Sequence, residues 1–367
     1  MNPPTLSDLR RYAISRSLFK PTTLPKAIAK LGFVQADPIR APARAQDLIL
    51  RHRVVNYRAG DLERRYPKLP IEEDFFVNYG FMPRALHALM HPRTARQAWT
   101  KARWRQAQAV LDFVRVNGVV HPRDVDAHFA HGKVTNWFGG SSNASTQLLD
   151  GMHYRGLLRI ARRESGTRLY AAREMNPAPA AGQSPADPEA TMDRLVDVIV
   201  KKYAPLLGAT LAQLITHLKD AVPHWLDARK AALARAKTRL PHATVEGHTW
   251  YWPAGEDPRS RRHCVSDEVR LFAPFDPVVW DRRRFEVFWG WAYRLEAYTP
   301  APKRVRGYYA LPLMWGDAVI GWGNLSVASG RLVPSLGYVS GRAPKSPAFR
   351  QALDAELARI EVFLSSP

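Results

Sequence analysis

Between Trp104 and Ala171 the apolar periodicity changes once, from helical to strand-like, and this limits the fold more than any other feature of the chain. Trp104, Ala107, Leu111 and Val114 recur at helical spacing, and Asn117-Gly118 stops that helix. Pro122 suits the first turn of a second helix. A third follows Gly139-Gly140-Ser141-Ser142, through Leu148, Leu149 and Met152. Leu157-Leu158-Arg159-Ile160-Ala161 and Arg168-Leu169-Tyr170-Ala171, joined across Glu164-Ser165-Gly166-Thr167, read as a β-hairpin. Three helices closed by a basic hairpin describe a winged helix, a variant of the helix-turn-helix.

The same order recurs on either side, less sharply. Leu195, Val198, Ile199, Lys202 and Leu206 outline one helix, Thr210 to Leu218 a second, and the basic Asp227 to Leu240 a third. Thr244 to Trp252 then supplies alternating strand material. Near the N-terminus, Leu6 to Leu18 and Leu24 to Leu31 look helical and Gly32 to Val34 extended. The repetition is of architecture only, because no fixed sequence period accompanies it. Residues 176–188 are rich in Pro and Ala and lack bulky apolar side chains, so they read as a linker.

From about Glu268 the character changes. Val269-Arg270-Leu271-Phe272 and Tyr308-Tyr309-Ala310-Leu311 look like strands, a further pair flanks Gly316-Asp317, and a helix runs from Ser346 to Leu364. The expected fold is α+β and helix-rich, with three tandem winged-helix modules and a C-terminal β-rich region ending in a helix. The expected bounds are 1–96, 97–175, a linker at 176–188, 189–265 and 266–367.

Charge points to the partner. Lys and Arg total 54 against 33 Asp and Glu, a formal charge of +21. Such a field attracts polyanions. Arginine dominates, in Arg51-His52-Arg53, Arg64-Arg65, Arg162-Arg163, Arg261-Arg262 and Arg282-Arg283-Arg284. Its planar fork suits phosphates and base edges. A GC-rich genome would explain Arg over Lys but not the net excess. Double-stranded DNA is therefore the expected partner. The lone Cys264 excludes an internal disulfide and multi-cysteine metal sites. No apolar run approaches the ~20 residues of a membrane span, and Met1 to Thr5 does not open a secretory signal. A monomeric cytoplasmic protein, nucleoid-associated when on DNA and without membrane contact, is expected.

Several familiar sites fail on their residues. His87 and His91 lie four apart, but Ala88 stands where a zincin needs its Glu. His128 and His131 lack further ligands. Both pairs read as surface or packing histidines, so no metal and no organic cofactor is expected. Gly321-Trp322-Gly323 lacks the remainder of a phosphate loop. Glu72-Glu73-Asp74 reads as a solvated acidic face rather than a Mg²⁺-dependent nuclease site.

Leu31-Gly32-Phe33-Val34-Gln35-Ala36-Asp37-Pro38 is more informative. If residues 33–37 are extended, Gln35 and Asp37 project to one side. A carboxamide and a carboxylate so placed can hold one water, with Asp37 as acceptor and Gln35 as orienter. Asp-Pro at a strand end is equally a turn signal. On the residues alone both readings stand.

Gln35-Ala36-Asp37, followed by Ala43-Arg44-Ala45, resembles the Gln-apolar-Asp motif of the AlkZ/YcaQ-type winged-helix DNA glycosylases. A longer resemblance covers Ala273-Pro274-Phe275-Asp276-Pro277-Val278-Val279-Trp280-Asp281-Arg282, Tyr293-Arg294-Leu295-Glu296, Pro300-Ala301-Pro302-Lys303-Arg304 and Gly307-Tyr308-Tyr309-Ala310-Leu311-Pro312. The resemblance implies a monofunctional glycosylase of tandem winged helices, acting on N7-alkylated purines and unhooking interstrand crosslinks. It implies Gln35 and Asp37 as the catalytic pair. DNA contacts are expected at Arg40, Arg44, Arg155, Arg162 and Arg163, and at Lys303, Arg304 and Arg306 near a lesion-probing hairpin. The chain departs from the family at Asp74 to Gly80, which lacks a usual His, and at Asn324-Leu325-Ser326, where Asp-Lys is usual. Both departures bear on lesion preference rather than on the pair. A non-catalytic DNA-binding regulator is the alternative of another class, and would bury the pair in a turn.

Overall fold

The computed structural model describes residues 3–130, 132–135, 141–173 and 187–365. His131, Gly139-Gly140 and residues 176–186 of the expected linker lie outside them. The chain packs into two compact units, one of Met1–Leu62, Val196–Leu214 and Leu233–Pro367, the other of Glu63–Leu195 and Ile215–Ala232. This division by packing runs across the bounds expected from the sequence rather than along them. No helix among the described residues is long and apolar enough to cross a membrane.

In the unit built from Glu63–Leu195, helix Lys101–Asn117 starts where the Thr100 hydroxyl accepts the Arg103 N–H and stops at Gly118, at φ 74°. That angle is left-handed, where only a residue without Cβ sits unstrained. Helix Pro122–Phe129 is capped by His121, whose Nδ1 accepts the Arg123 N–H at 3.0 Å. Helix Ala144–Tyr154 leads into strands Leu158–Glu164 and Thr167–Ala172, and Val119–Val120 pairs with the second of these. Three helices closed by a hairpin, the order expected for this stretch, is the order found. Ser165 and Gly166 both take positive φ, 49° and 86°. A two-residue turn of that kind matches the right-handed twist of the strands it joins. Ala107, Val110, Leu111 and Val114 bury one helix face, and Leu148, Leu149, Met152, Ile160 and Tyr170 are buried with them. A second hairpin, Ile71–Phe75 with Tyr79–Pro83, belongs to the same unit.

The other unit is organised around helix Leu6–Ser17, begun by a reciprocal Thr5–Asp8 capping box. Its Leu9, Tyr12 and Ala13 pack with Ala204, Leu207, Trp250 and Phe288, the last two rings stacked at 5.2 Å. Ile14 joins a second cluster with Phe272, Val278, Phe285, Tyr293 and Met314. Helix Pro188–Tyr203 begins at the residue expected to end the linker, since Pro is well tolerated at a first helical position. Of the helices that follow, Gly208–His217 belongs to this unit as far as Leu214 and Leu226–Arg239 from Leu233 on, and then comes a hairpin of His242–Val245 and His248–Tyr251, with Leu206–Leu207 along its second strand.

The C-terminal region is one antiparallel sheet in the order Val269–Leu271, Leu311–Trp315, Ala318–Ala328, Arg331–Tyr338, followed by helix Pro347–Leu364. Tyr308 to Ala310, expected as strand, form instead the turn that leads into strand Leu311–Trp315. Gly321 and Gly323 serve the sheet, lying in the Ala318–Ala328 strand opposite Tyr338 and Leu336. The Trp322 ring between them lies over Gly337, where a Cβ would meet it at 2.3 Å.

Candidate active site

The extended segment is shorter than expected, a strand of Val34–Gln35 only. Phe33 and Val34 are fully buried, and the Phe33 carbonyl accepts the Lys202 ammonium. Lys202 itself is buried, which pulls its pKa down to about 7. Gln35 is 3% exposed, and its Oε1 accepts the Trp280 indole N–H at 3.1 Å. Two residues on, Asp37 is half-buried and its Oδ1 accepts the Ile39 N–H at 2.9 Å. That bond is the turn that Asp-Pro foretells, so the turn and the half-buried carboxylate coexist in one residue. Burial pushes the Asp37 carboxyl above its usual range, and the Ile39 N–H offsets part of that. The Tyr309 hydroxyl is held in its protonated form first by burial and then by the charge of Asp37. It is buried and has no hydrogen-bond partner among the described residues.

The stretch that carries Trp280 is anchored from beneath. Asp276 caps helix Pro277–Trp280 through the Val278 N–H and takes both arms of Arg53, at 2.7 and 2.9 Å. Arg282 donates to the Val279 and Pro274 carbonyls at 2.6 and 2.7 Å. Arg284 is fully buried on the Tyr203 and Pro277 carbonyls. Arg51 donates to the buried Glu356 at 2.6 Å, and the His52 ring lies 3.1 Å from the Leu271 carbonyl oxygen. Two of the arginine runs that suggested a polyanion surface are thus largely internal. The partners Asp276, Glu356, Leu271 and Tyr203 lie 81 to 305 positions away in sequence, which a local reading cannot see.

Among the expected DNA contacts, Arg40 is exposed and Arg44 half-buried, in the same unit as Gln35 and Asp37. Lys303 is exposed there too. Arg304 donates to the Thr299 carbonyl and lies over the Tyr308 ring at 5.0 Å. Arg306 lies over Trp291 at 5.0 Å and donates to the Ala292 carbonyl. The other unit holds Arg155, stacked on Trp99 at 3.7 Å and bonded to the Gly151 and Gln97 carbonyls. It also holds Arg162, exposed and paired with Glu164, and Arg163, paired with Glu73.

The acidic triplet is not a solvated face. Glu72, Glu73 and Asp74 are 3%, 1% and 0% exposed. Glu72 meets Arg84 and Arg173, and Glu73 meets Arg163 and Arg168. Asp74 takes His87 at 3.1 Å, His91 at 2.8 Å and Arg93 at 3.0 Å. Burial would raise its carboxyl, but the two histidines and Arg93 hold it well below the usual range. The histidines are therefore buried acid partners, not surface groups. Asp74, His87 and His91 offer ligand atoms within 4.8 Å of one another, close enough to share an ion. Arg93 already compensates that carboxylate, and four more arginines surround the triplet. The arrangement is an ion-pair network whose positive excess opposes a dication.

A cavity of about 540 Å³ between Gly208, Lys237, His248 and Arg283 contains neither Gln35 nor Asp37. The fold is a mixed α+β one, with small antiparallel sheets among many helices. The chain belongs to the AlkZ-like DNA glycosylase family, whose sequence model matches residues 28–363. Its structure is similar to that of the Streptomyces sahachiroi DNA glycosylase AlkZ, with a TM-score of 0.63 over 99% of this chain and 97% of that one. The two share 15% identity, so this likeness speaks to the fold alone.

Proposed function

We propose that the protein hydrolyses the N-glycosidic bond of N7-alkylated purines in duplex DNA, with Asp37 and Gln35 as the reacting pair. The same chemistry would unhook an interstrand crosslink made through N7. The carrying observation is the half-buried Asp37 carboxyl two residues from a carboxamide fixed by Trp280. N7 alkylation makes the purine cationic and a good leaving group, so it needs no strong acid. Cleavage passes through an oxocarbenium-like sugar, which the ionised Asp37 stabilises. Asp37 then takes a proton from the attacking water, which makes the enzyme monofunctional. Gln35, being neutral, holds that water without competing for the proton. The helix-and-hairpin units supply winged-helix surfaces for the duplex.

The Ile39 N–H bond to Asp37 favours a second reading, a non-catalytic DNA-binding protein in which Asp37 only makes a turn. One experiment separates the two. Excess protein is incubated with duplex holding N7-methylguanine, and free base and abasic sites are counted. Base release by the parent supports the enzyme, and binding without release supports the regulator.

A further inference from the structure

We infer that Trp280 is a positioning residue that fixes the polarity of Gln35, so that Gln35 serves the reaction as a hydrogen-bond donor. The inference rests on the glycosylase reading above. An indole nitrogen can only donate, so the Gln35 atom facing it at 3.1 Å is the carbonyl oxygen. With Oε1 turned to Trp280 in a residue 3% exposed, the amino end is the part of Gln35 left for the site. An amino group can hold a water by its oxygen, or a phosphodiester or base carbonyl oxygen. It cannot take a proton, which leaves Asp37 as the acceptor of the pair.

The indole is itself held. Tyr203 packs on it at 4.9 Å, and the helix it ends is capped by Asp276, which Arg53 locks in place. Lys202 on the Phe33 carbonyl fixes the strand from the other direction. The two stretches that carry the family resemblance, around Gln35 and around Trp280, thus meet at one hydrogen bond.

The test is a double-mutant cycle read by single-turnover base release from N7-methylguanine duplex, with DNA affinity and thermal melting alongside. Trp280→Phe keeps the ring that Tyr203 packs on and removes the N–H. It is expected to slow release about tenfold in the parent, to leave affinity within about twofold, and to add nothing in a Gln35→Ala background. A Trp280→Phe effect equal in both backgrounds, or none in the parent, overturns the inference. Gln35→Glu gives a check independent of Trp280→Phe folding. It keeps an acceptor for the indole but puts a second carboxylate oxygen where the amino group stood. The acid limb of the pH–rate profile should then move up, because a like charge raises the Asp37 pKa. An unmoved limb shows that the amino end does not face Asp37, and overturns the inference. If the parent releases no base, the glycosylase reading fails and takes the inference with it. If the parent is active and the cycle shows no coupling, only the inference fails.

Discussion

Arg53 and Asp276 meet in a two-pronged ion pair, at 2.7 and 2.9 Å, with neither side chain exposed to solvent. The pair ties Arg53, three residues past helix Ala45–Leu50, to the cap of helix Pro277–Trp280. Removing one partner leaves the other charged and dry. Arg53→Leu should therefore lose about 3–5 kcal/mol of stability, and Arg53→Leu with Asp276→Leu less than the single variant. Urea unfolding of both checks this. A double variant weaker than either single one would show that the pair's own attraction dominates.

Asp37 makes the opposite prediction for stability. Its folded pKa is raised by burial, so the folded state binds that proton more tightly than the unfolded chain does. Ionised Asp37 therefore disfavours the fold once the pH rises through the unfolded value near ~3.9. Asp37→Asn should melt at the parent temperature or above it at pH 7, bind duplex normally, and release base roughly 10²-fold more slowly. Full activity in this variant removes the assignment of Asp37, and loss of folding favours the turn reading.

Tyr309→Phe removes a buried hydroxyl that has no partner among the described residues. Burying an unpaired hydroxyl costs about 1–3 kcal/mol, so the variant should be at least as stable as the parent in thermal melting. A clear drop in melting temperature would mean that the hydroxyl is bonded in solution.

The acid side of stability should show a histidine before it shows carboxylates. Burial pulls His91 down to about 3, against an ordinary value near 6.5. Between those values the unfolded chain takes a proton that the folded chain refuses. Stability is thus full above about pH 6.5 and falls toward pH 3, by up to about 1.4 kcal/mol per pH unit for one such group. Asp74, whose folded pKa is depressed, adds its loss only below its unfolded value near ~3.9. Urea midpoints from pH 7.5 to 4.5 should fall, and His91→Gln should flatten the fall by one proton's worth. An unchanged slope would mean that His91 titrates normally in the fold.

The local elements were legible because their signals are local. Gly118 after Asn117, Pro122 and the turn at Ser165-Gly166 each dictate backbone from within a few residues. The setting of Gln35 is a different matter, because it depends on distant residues. Gln35 and Asp37 stand in a short motif, but Trp280 reaches Gln35 from 245 positions away. Arg53 and Asp276 are 223 apart, and Arg163 and Glu73 are 90 apart. A charge run looks the same in sequence whether its partners are water or distant carboxylates. That is why Glu72-Glu73-Asp74 read as solvated and Arg51-His52-Arg53 as surface charge, when both are internal.

This distinction sorts the basic residues expected to meet DNA. Arg40, Arg162 and Lys303 are exposed, whereas Arg155, Arg163 and Arg306 are held by Trp99, Glu73 and the Trp291 ring with the Ala292 carbonyl. An exposed cation that meets a phosphate adds about −0.9 to the slope of log affinity against log salt. Reversing Arg40, Arg162 and Lys303 to Glu should weaken binding to damaged and undamaged duplex alike, flatten that slope, and leave thermal melting in place. Arg163→Glu should act differently, because it takes one of two arginines from the buried Glu73 and sets a second carboxylate beside it. Its first effect should be a lower melting temperature, with the salt slope of the folded fraction little changed. Anisotropy titrations from 50 to 200 mM salt, roughly the range over which phosphate contacts lose most of their affinity, measure both. If Arg163→Glu melts like the parent and flattens the slope instead, Arg163 leaves Glu73 for DNA. If the triple variant keeps the parent slope, the phosphate-tracking surface lies elsewhere on the chain.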